Sequence, residues 1–158
     1  MPNNATTNFI SFTLPTTNAY NGIAKGDDGK LYCAPLAATD VLVIDPAAGT
    51  TSTLSLPAFP SSTSDSWKFQ GIAKGDDGKL YCAPLNASVV LVIDPAAGAT
   101  STLPLPSGVS GGAKFIGIAK GDDGKLYCAP FNASVVLVID PADPTDPTST
   151  LSLPSGIS

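Results

Sequence analysis

One block of fourteen residues governs everything this chain can fold into. Gly-Ile-Ala-Lys-Gly-Asp-Asp-Gly-Lys-Leu-Tyr-Cys-Ala-Pro occurs at Gly22–Pro35, Gly71–Pro84 and Gly117–Pro130 without a substitution. Each copy runs on into a second shared block, Val41–Gly49, Val90–Gly98 and Val136–Asp143, and closes on a Thr-Leu-x-Leu-Pro segment, at Thr53–Pro57, Thr102–Pro106 and Thr150–Pro154. Self-similarity with a period in the forties is the mark of solenoids and propellers, whose units stack to bury a face none can bury alone.

Within one copy, short period-2 patterns bounded by turn residues predict four strands. In the middle copy these are Lys68–Lys74, Lys79–Pro84, Val89–Asp94 and Thr100–Leu105. Gly-Asp-Asp-Gly joins the first two, and Asp-Gly favours a tight hairpin because Gly accepts positive φ. The other links, Asn-Ala-Ser and Asp-Pro-Ala-Ala-Gly, are as short, so the strands form an antiparallel up-and-down meander. Val89–Ile93 is apolar at every position. A sheet with one wet face would alternate, so this strand requires cover on both faces, as a propeller blade has between its two neighbours. Four strands per unit of this length predict an all-β propeller of three four-stranded blades.

The pattern Gly-Ile-Ala-x-x-x-Asp-Gly-x-Leu-Tyr-x-Ala followed by Val-Leu-Val-Ile-Asp-Pro resembles the blade repeat of the NHL and virginiamycin-lyase-like propellers. The resemblance covers most of each repeat and nearly the whole chain. It implies the fold and says little of activity, because such blades serve many functions. The lyase branch works through a catalytic histidine. This chain has 0 His, so that chemistry does not carry over.

The boundaries predicted are an extra strand at 1–16, resembling the fourth strand of a blade, then blades at 17–66, 67–112 and 113–158. Propellers close with about four to eight blades, so three leave two blade faces in need of neighbours. We expect the ring to be completed by homo-oligomerisation, six blades from two chains, with nine from three as the alternative. The extra strand, Ile10–Pro15, is either a clasp onto the next subunit by strand addition or a redundant remnant. The near-identity of the copies points to recent duplication or deliberate construction.

Composition agrees. Glu and Arg are missing along with His, and the single Gln is Gln70, which removes the residues long helices lean on. Net charge is −5, from 13 acidic and 8 basic residues. The lysines are scattered, so the basic face of a nucleic-acid binder is absent and no nucleic-acid partner is expected. No membrane partner is expected either: the longest aliphatic run, Val89–Ile93, is far short of a span. No signal peptide is visible at the N-terminus; compartment is left open.

Candidate chemistry is sparse. Lys25, Lys74 and Lys120 end the first strand of each blade. That strand lies innermost in a propeller, so a closed ring could hold these lysines as a circle of positive charge binding an anion. The paired aspartates Asp27/Asp28, Asp76/Asp77 and Asp122/Asp123 offer oxygen ligands but lack the Ca²⁺-loop spacing, so hairpin turns are expected and no metal. Cys33, Cys82 and Cys128 have no His to activate them. Equivalent cysteines on stacked sheets lie about 10 Å apart, beyond disulfide reach, so buried core thiols are expected. Tyr20, Phe69 and Phe115 read as core between blades. Trp67 occurs in one copy only, and a lone exposed Trp can stack on a carbohydrate. Asn86-Ala-Ser and Asn132-Ala-Ser match the glycosylation sequon, and their residues equally favour turns. The expectation is a non-enzymatic, self-assembling scaffold without cofactor; the alternative is a multivalent, lectin-like module for a carbohydrate or small anionic ligand.

Overall fold

A computed structural model describes residues 18–60 and 67–156 of the chain. The N-terminal segment resembling a fourth blade strand, Ile10–Pro15, lies outside the described residues. Twelve strands form three separate four-stranded antiparallel sheets, each a simple meander. The first blade holds β1 (Tyr20–Lys25), β2 (Leu31–Pro35), β3 (Asp40–Asp45) and β4 (Thr50–Ser55). The second holds β5 (Phe69–Lys74), β6 (Leu80–Pro84), β7 (Val89–Asp94) and β8 (Ala99–Pro104). The third holds β9 (Phe115–Lys120), β10 (Leu126–Pro130), β11 (Val135–Ile139) and β12 (Thr148–Ser152). The predicted propeller-like blades are therefore present, with strand limits shifted by a residue. β5 starts at Phe69 because Lys68 turns its backbone elsewhere: its N–H donates to Leu36 O of the previous blade at 2.7 Å, and its carbonyl accepts from Leu85 and Ala87.

The blades stack through their first strands. β1 packs along β5 and β5 along β9, while β4 and β8 meet only sparingly, so the sheets fan outward from an inner edge. Glycine makes that approach feasible. Gly22 and Gly71 sit at φ 96° and 95°, inside the irregular stretches of the β1–β2 and β5–β6 pairings. A Cβ on Gly22 would lie 3.1 Å from Gly71 Cα, and one on Gly71 would lie 2.8 Å from Gly117 Cα. Bulges at positive φ commonly need Gly; here the neighbouring backbone also occupies the space.

Two cores fill the two blade-to-blade interfaces. Tyr32, Ala34, Val41 and Val43 of the first blade meet Phe69, Leu80, Cys82, Leu91 and Ile93 of the second. Tyr81, Ala83, Val90 and Val92 meet Phe115, Leu126, Cys128, Leu137 and Ile139 in the same manner. Each blade thus has two different faces, and successive residues of the all-apolar strand β7 serve one core and the other. Among the described residues the middle blade alone has both covered: Val89–Ile93 is buried throughout, whereas β3 and β11 each keep part-exposed positions. Outer strands are tied by Thr100 Oγ1 donating to Ser55 O (2.7 Å) and Thr148 Oγ1 to Pro104 O (2.9 Å). Among the described residues no helix is long and apolar enough to cross a membrane.

Candidate functional site

The turn rim, where β1–β2 and β3–β4 type hairpins lie side by side, gathers most of the charge. The two aspartates of each Gly-Asp-Asp-Gly turn do different jobs. The second holds its own blade: Asp28, Asp77 and Asp123 accept a hydrogen bond from Tyr32, Tyr81 and Tyr127 at 2.8, 2.8 and 2.6 Å. They also accept the backbone N–H of Lys30, Lys79 and Lys125 at 3.2 Å. Burial, then the Asp partner, pushes the Tyr32 and Tyr81 hydroxyls far up, and the Tyr127 bond lowers Asp123. The first aspartate reaches across the interface: Asp27 pairs with Lys74 of the second blade and Asp76 with Lys120 of the third.

Two of the three lysines singled out for a positive ring thus have a carboxylate as their immediate partner. Lys25 and Asp122 occupy the same two positions in the outermost blades, and neither has an ion-pair partner among the described residues. Acidic clefts of about 360 and 300 Å³ lie between the hairpins, lined respectively by Asp27, Asp28, Asp77 and Asp94 and by Asp76, Asp77, Asp123 and Asp140. Among the described residues no three such side chains come close enough together to hold a metal ion.

The thiols are buried and unpaired in disulfides. Burial raises all three; Cys128 rises to about 12, and Cys82, enclosed on all sides, is pushed further with help from Cys128. Since the thiolate is the nucleophile, these groups are inert near neutral pH.

On the opposite rim the β2–β3 type turns are tied to the residue before each first strand. Leu36, Ala37 and Ala38 donate to Ala19 O, as Leu85 and Ala87 do to Lys68 O and Phe131 and Ala133 to Lys114 O. Asn86, part of a sequon-like triplet, sits in the β6–β7 turn and reaches the third blade, its Oδ1 accepting the Ala113 N–H at 2.7 Å. Trp67 stands here half exposed, near Phe131.

The two end faces carry the same residue types as the two halves of the internal contact, and they are partly exposed. Phe69, Leu80 and Ile93 are 0% exposed, as are Phe115, Leu126 and Ile139. Their first-blade counterparts Tyr20, Leu31 and Ile44 are part-exposed, and Ile23 is 55% exposed. On the third blade Ala129 is exposed and Tyr127 and Val136 part-exposed, where Tyr32, Ala34 and Val41 are buried. Phe131 is 60% exposed where Leu36 and Leu85 are 3% and 5%. Gly117 repeats the arrangement: a Cβ there would meet nothing within 4 Å. The cross-blade pairing of charges was missed in the sequence. The signal was available, since stacking identical copies sets the Lys of one beside the Asp of the one before.

No protein-family model matches the chain, and no curated protein matches it. Solved structures do. Virginiamycin B lyase from Staphylococcus aureus superposes with a TM-score of 0.67 at 21% identity, over 90% of this chain and 44% of that one. A streptogramin B lyase gives 0.68 at 22%, over 92% and 44%. Hydrazine synthase from Kuenenia stuttgartiensis gives 0.58 at 18%, over 92% and 38%. The chain therefore spans less than half the length of these structures. Proteins with such different activities share the blades, so the likeness establishes the propeller-type architecture alone.

Proposed function

We propose that the chain is a non-enzymatic, self-assembling propeller scaffold whose ring closes when the third blade of one copy docks on the first blade of the next. The observation that carries this is the match between the end faces: each presents, partly exposed, the half of a contact that the molecule already makes twice within itself. A second copy would set Tyr127, Ala129, Val136 and Val138 against Tyr20, Leu31, Cys33, Leu42 and Ile44, as in the two internal cores. It would bring Lys25 to Asp122, repeating Lys74–Asp27 and Lys120–Asp76, and Thr51 to Ser152 O, repeating the outer-strand bonds. Gly117 would receive the backbone of Gly22. Two copies make six blades, within the usual range; three make nine.

A scaffold role is supported by how the reactive groups are used. Tyr32, Tyr81 and Tyr127 are bound to aspartates, the thiols are buried, and no histidine exists to act as base. Native mass spectrometry tests the assembly. A mass of twice 15.9 kDa is expected; three times that mass assigns the nine-blade alternative. A folded single chain, or an open ladder of masses, overturns closure.

A further inference from the structure

The copies share their Gly-Ile-Ala-Lys-Gly-Asp-Asp-Gly-Lys-Leu-Tyr-Cys-Ala-Pro block without change, and two residues found once each in the chain fall together in one cleft. On the rim opposite the Gly-Asp-Asp-Gly turns, a cavity of about 320 Å³ lies between the second and third blades. Its walls include Trp67, Gln70, Leu85, Asn86, Ile116 and Phe131. Trp67 is the single Trp of the chain and Gln70 the single Gln, and both fall in this one cleft. Their equivalents are Asn18 and Asn21 in the first blade and Ala113 and Ile116 in the third. The repeat varies at several places, and at these two positions the variation brings an indole and a carboxamide into the same cavity.

We infer that this cleft is a binding site for a neutral saccharide, with one pyranose ring stacked on the Trp67 indole. This deepens the scaffold reading by giving the assembled ring a ligand, but the site lies within one chain and does not need closure. Ligand pockets are apolar clefts of about this size with a few polar groups that fix orientation. Trp67, Ile116 and Phe131 supply the apolar surface, and the Trp67 indole is 50% exposed. Gln70 supplies a carboxamide that both donates and accepts, and it makes no side-chain hydrogen bond among the described residues. Asn86 is oriented by the bond its Oδ1 accepts from Ala113 N–H, so that wall is fixed in advance.

The chemistry selects among ligands. None of the lining residues is charged, so an ionic ligand would lose its hydration without a counter-charge. A flat hydrocarbon would leave the Gln70 amide desolvated and unpaired. A pyranose offers an apolar C–H face to the indole and a rim of hydroxyls that donate and accept, which fits both kinds of wall. The left-handed backbone of Trp67 (φ 57°) belongs to the repeat as a whole, since Asn18 and Ala113 share it at 61° and 51°.

The lone Trp makes its own fluorescence the reporter. The full chain is titrated with glucose, galactose, mannose, N-acetylglucosamine and the β-linked disaccharides of glucose and N-acetylglucosamine. The expected result is a saturable shift of the emission with at least one of them, and heat of binding by calorimetry. Trp67→Phe should retain binding, and Trp67→Ala should weaken it about tenfold or more. Gln70→Ala should weaken it roughly three- to tenfold. Circular dichroism confirms that each variant is folded, and light scattering on the same samples reads the assembly separately. A single-chain mass with saccharide bound sinks the ring and leaves this site standing. The site is refuted if no saccharide shifts the emission at tens of millimolar, if Trp67→Ala binds as well as the parent, or if only a planar aromatic such as indole binds.

Discussion

Replacing Gly117 by Ala separates a closed ring from a free chain, because two other glycines of the same fold supply the calibration. At Gly98, in the middle blade, the backbone is left-handed (φ 61°) and a Cβ meets nothing within 4 Å. Gly98→Ala therefore costs conformational strain alone, about 1–2 kcal/mol. At Gly71 the strain is joined by a backbone atom 2.8 Å away, well inside the ~3.5–4.0 Å of an ordinary carbon contact. The inner strands must separate, which adds overpacking of about 1–3 kcal/mol. For a chain of this size those totals lower Tm by roughly 2–8 °C at Gly98 and roughly 4–20 °C at Gly71. Gly117 has φ 72° and open space in the single chain, so Gly117→Ala should behave like Gly98→Ala if the chain stands alone. In a ring it faces Gly22 of the next copy and should behave like Gly71→Ala, with the additional sign that the assembly falls apart on dilution. Thermal unfolding of the three variants at matched concentration, with native mass spectrometry alongside, reads both quantities. If Gly117→Ala tracks Gly98→Ala and leaves the assembled mass unchanged, the proposed junction is wrong.

Three further outcomes follow from the same geometry. Reversing one charge at the junction, by Asp122→Lys or Lys25→Asp, should weaken assembly, and the double reversal should restore it. The internal equivalents are exposed, so the effect should stay within about 1 kcal/mol and vanish in high salt, as analytical ultracentrifugation can show. Ala113→Asn copies Asn18 at a position with φ 51°; because Asn tolerates the left-handed region better than Ala, denaturant unfolding should show a gain of up to about 1 kcal/mol. Cys128 should label only as the protein unfolds. Its folded pKa of about 12 exceeds its ordinary 9.0, so its contribution to stability is complete below pH 9 and is lost as pH rises from there to about 12. In Cys128→Ala that alkaline loss should be smaller in a pH series of melts.

The strands were legible in the sequence because each is a local pattern. Val89–Ile93 announced two covered faces by having no polar position, and the Gly-Asp-Asp-Gly turns announced their hairpins. Limits moved where a neighbour takes the backbone: Lys68 looks like strand from its own sequence but gives its N–H to Leu36. The site was less legible because it is assembled across blades. Lys74 and Asp27 are 47 residues apart, so no local window relates them. The carboxylates that pair with Lys74 and Lys120 belong to the preceding blade, whereas Lys25 has none among the described residues. Trp67 stood out as the odd residue of its repeat, but the cleft it shares with Phe131 exists only once two blades are stacked.

The sameness of the blades also bears on how the chain reaches its native state. The faces Tyr32–Ala34–Val41–Val43 and Tyr81–Ala83–Val90–Val92 are chemically one surface presented twice. A newly formed blade therefore has no chemical means of telling the next blade of its own chain from the matching blade of another molecule. Only the short covalent tether, by keeping the correct neighbour at high local concentration, decides between them. Crowding many unfolded chains together erodes that advantage, and exchange of blades between molecules is the characteristic error of tandem copies. Recovery of the native form should thus be a contest of tether against dilution, won by folding the chain while its copies are still far apart.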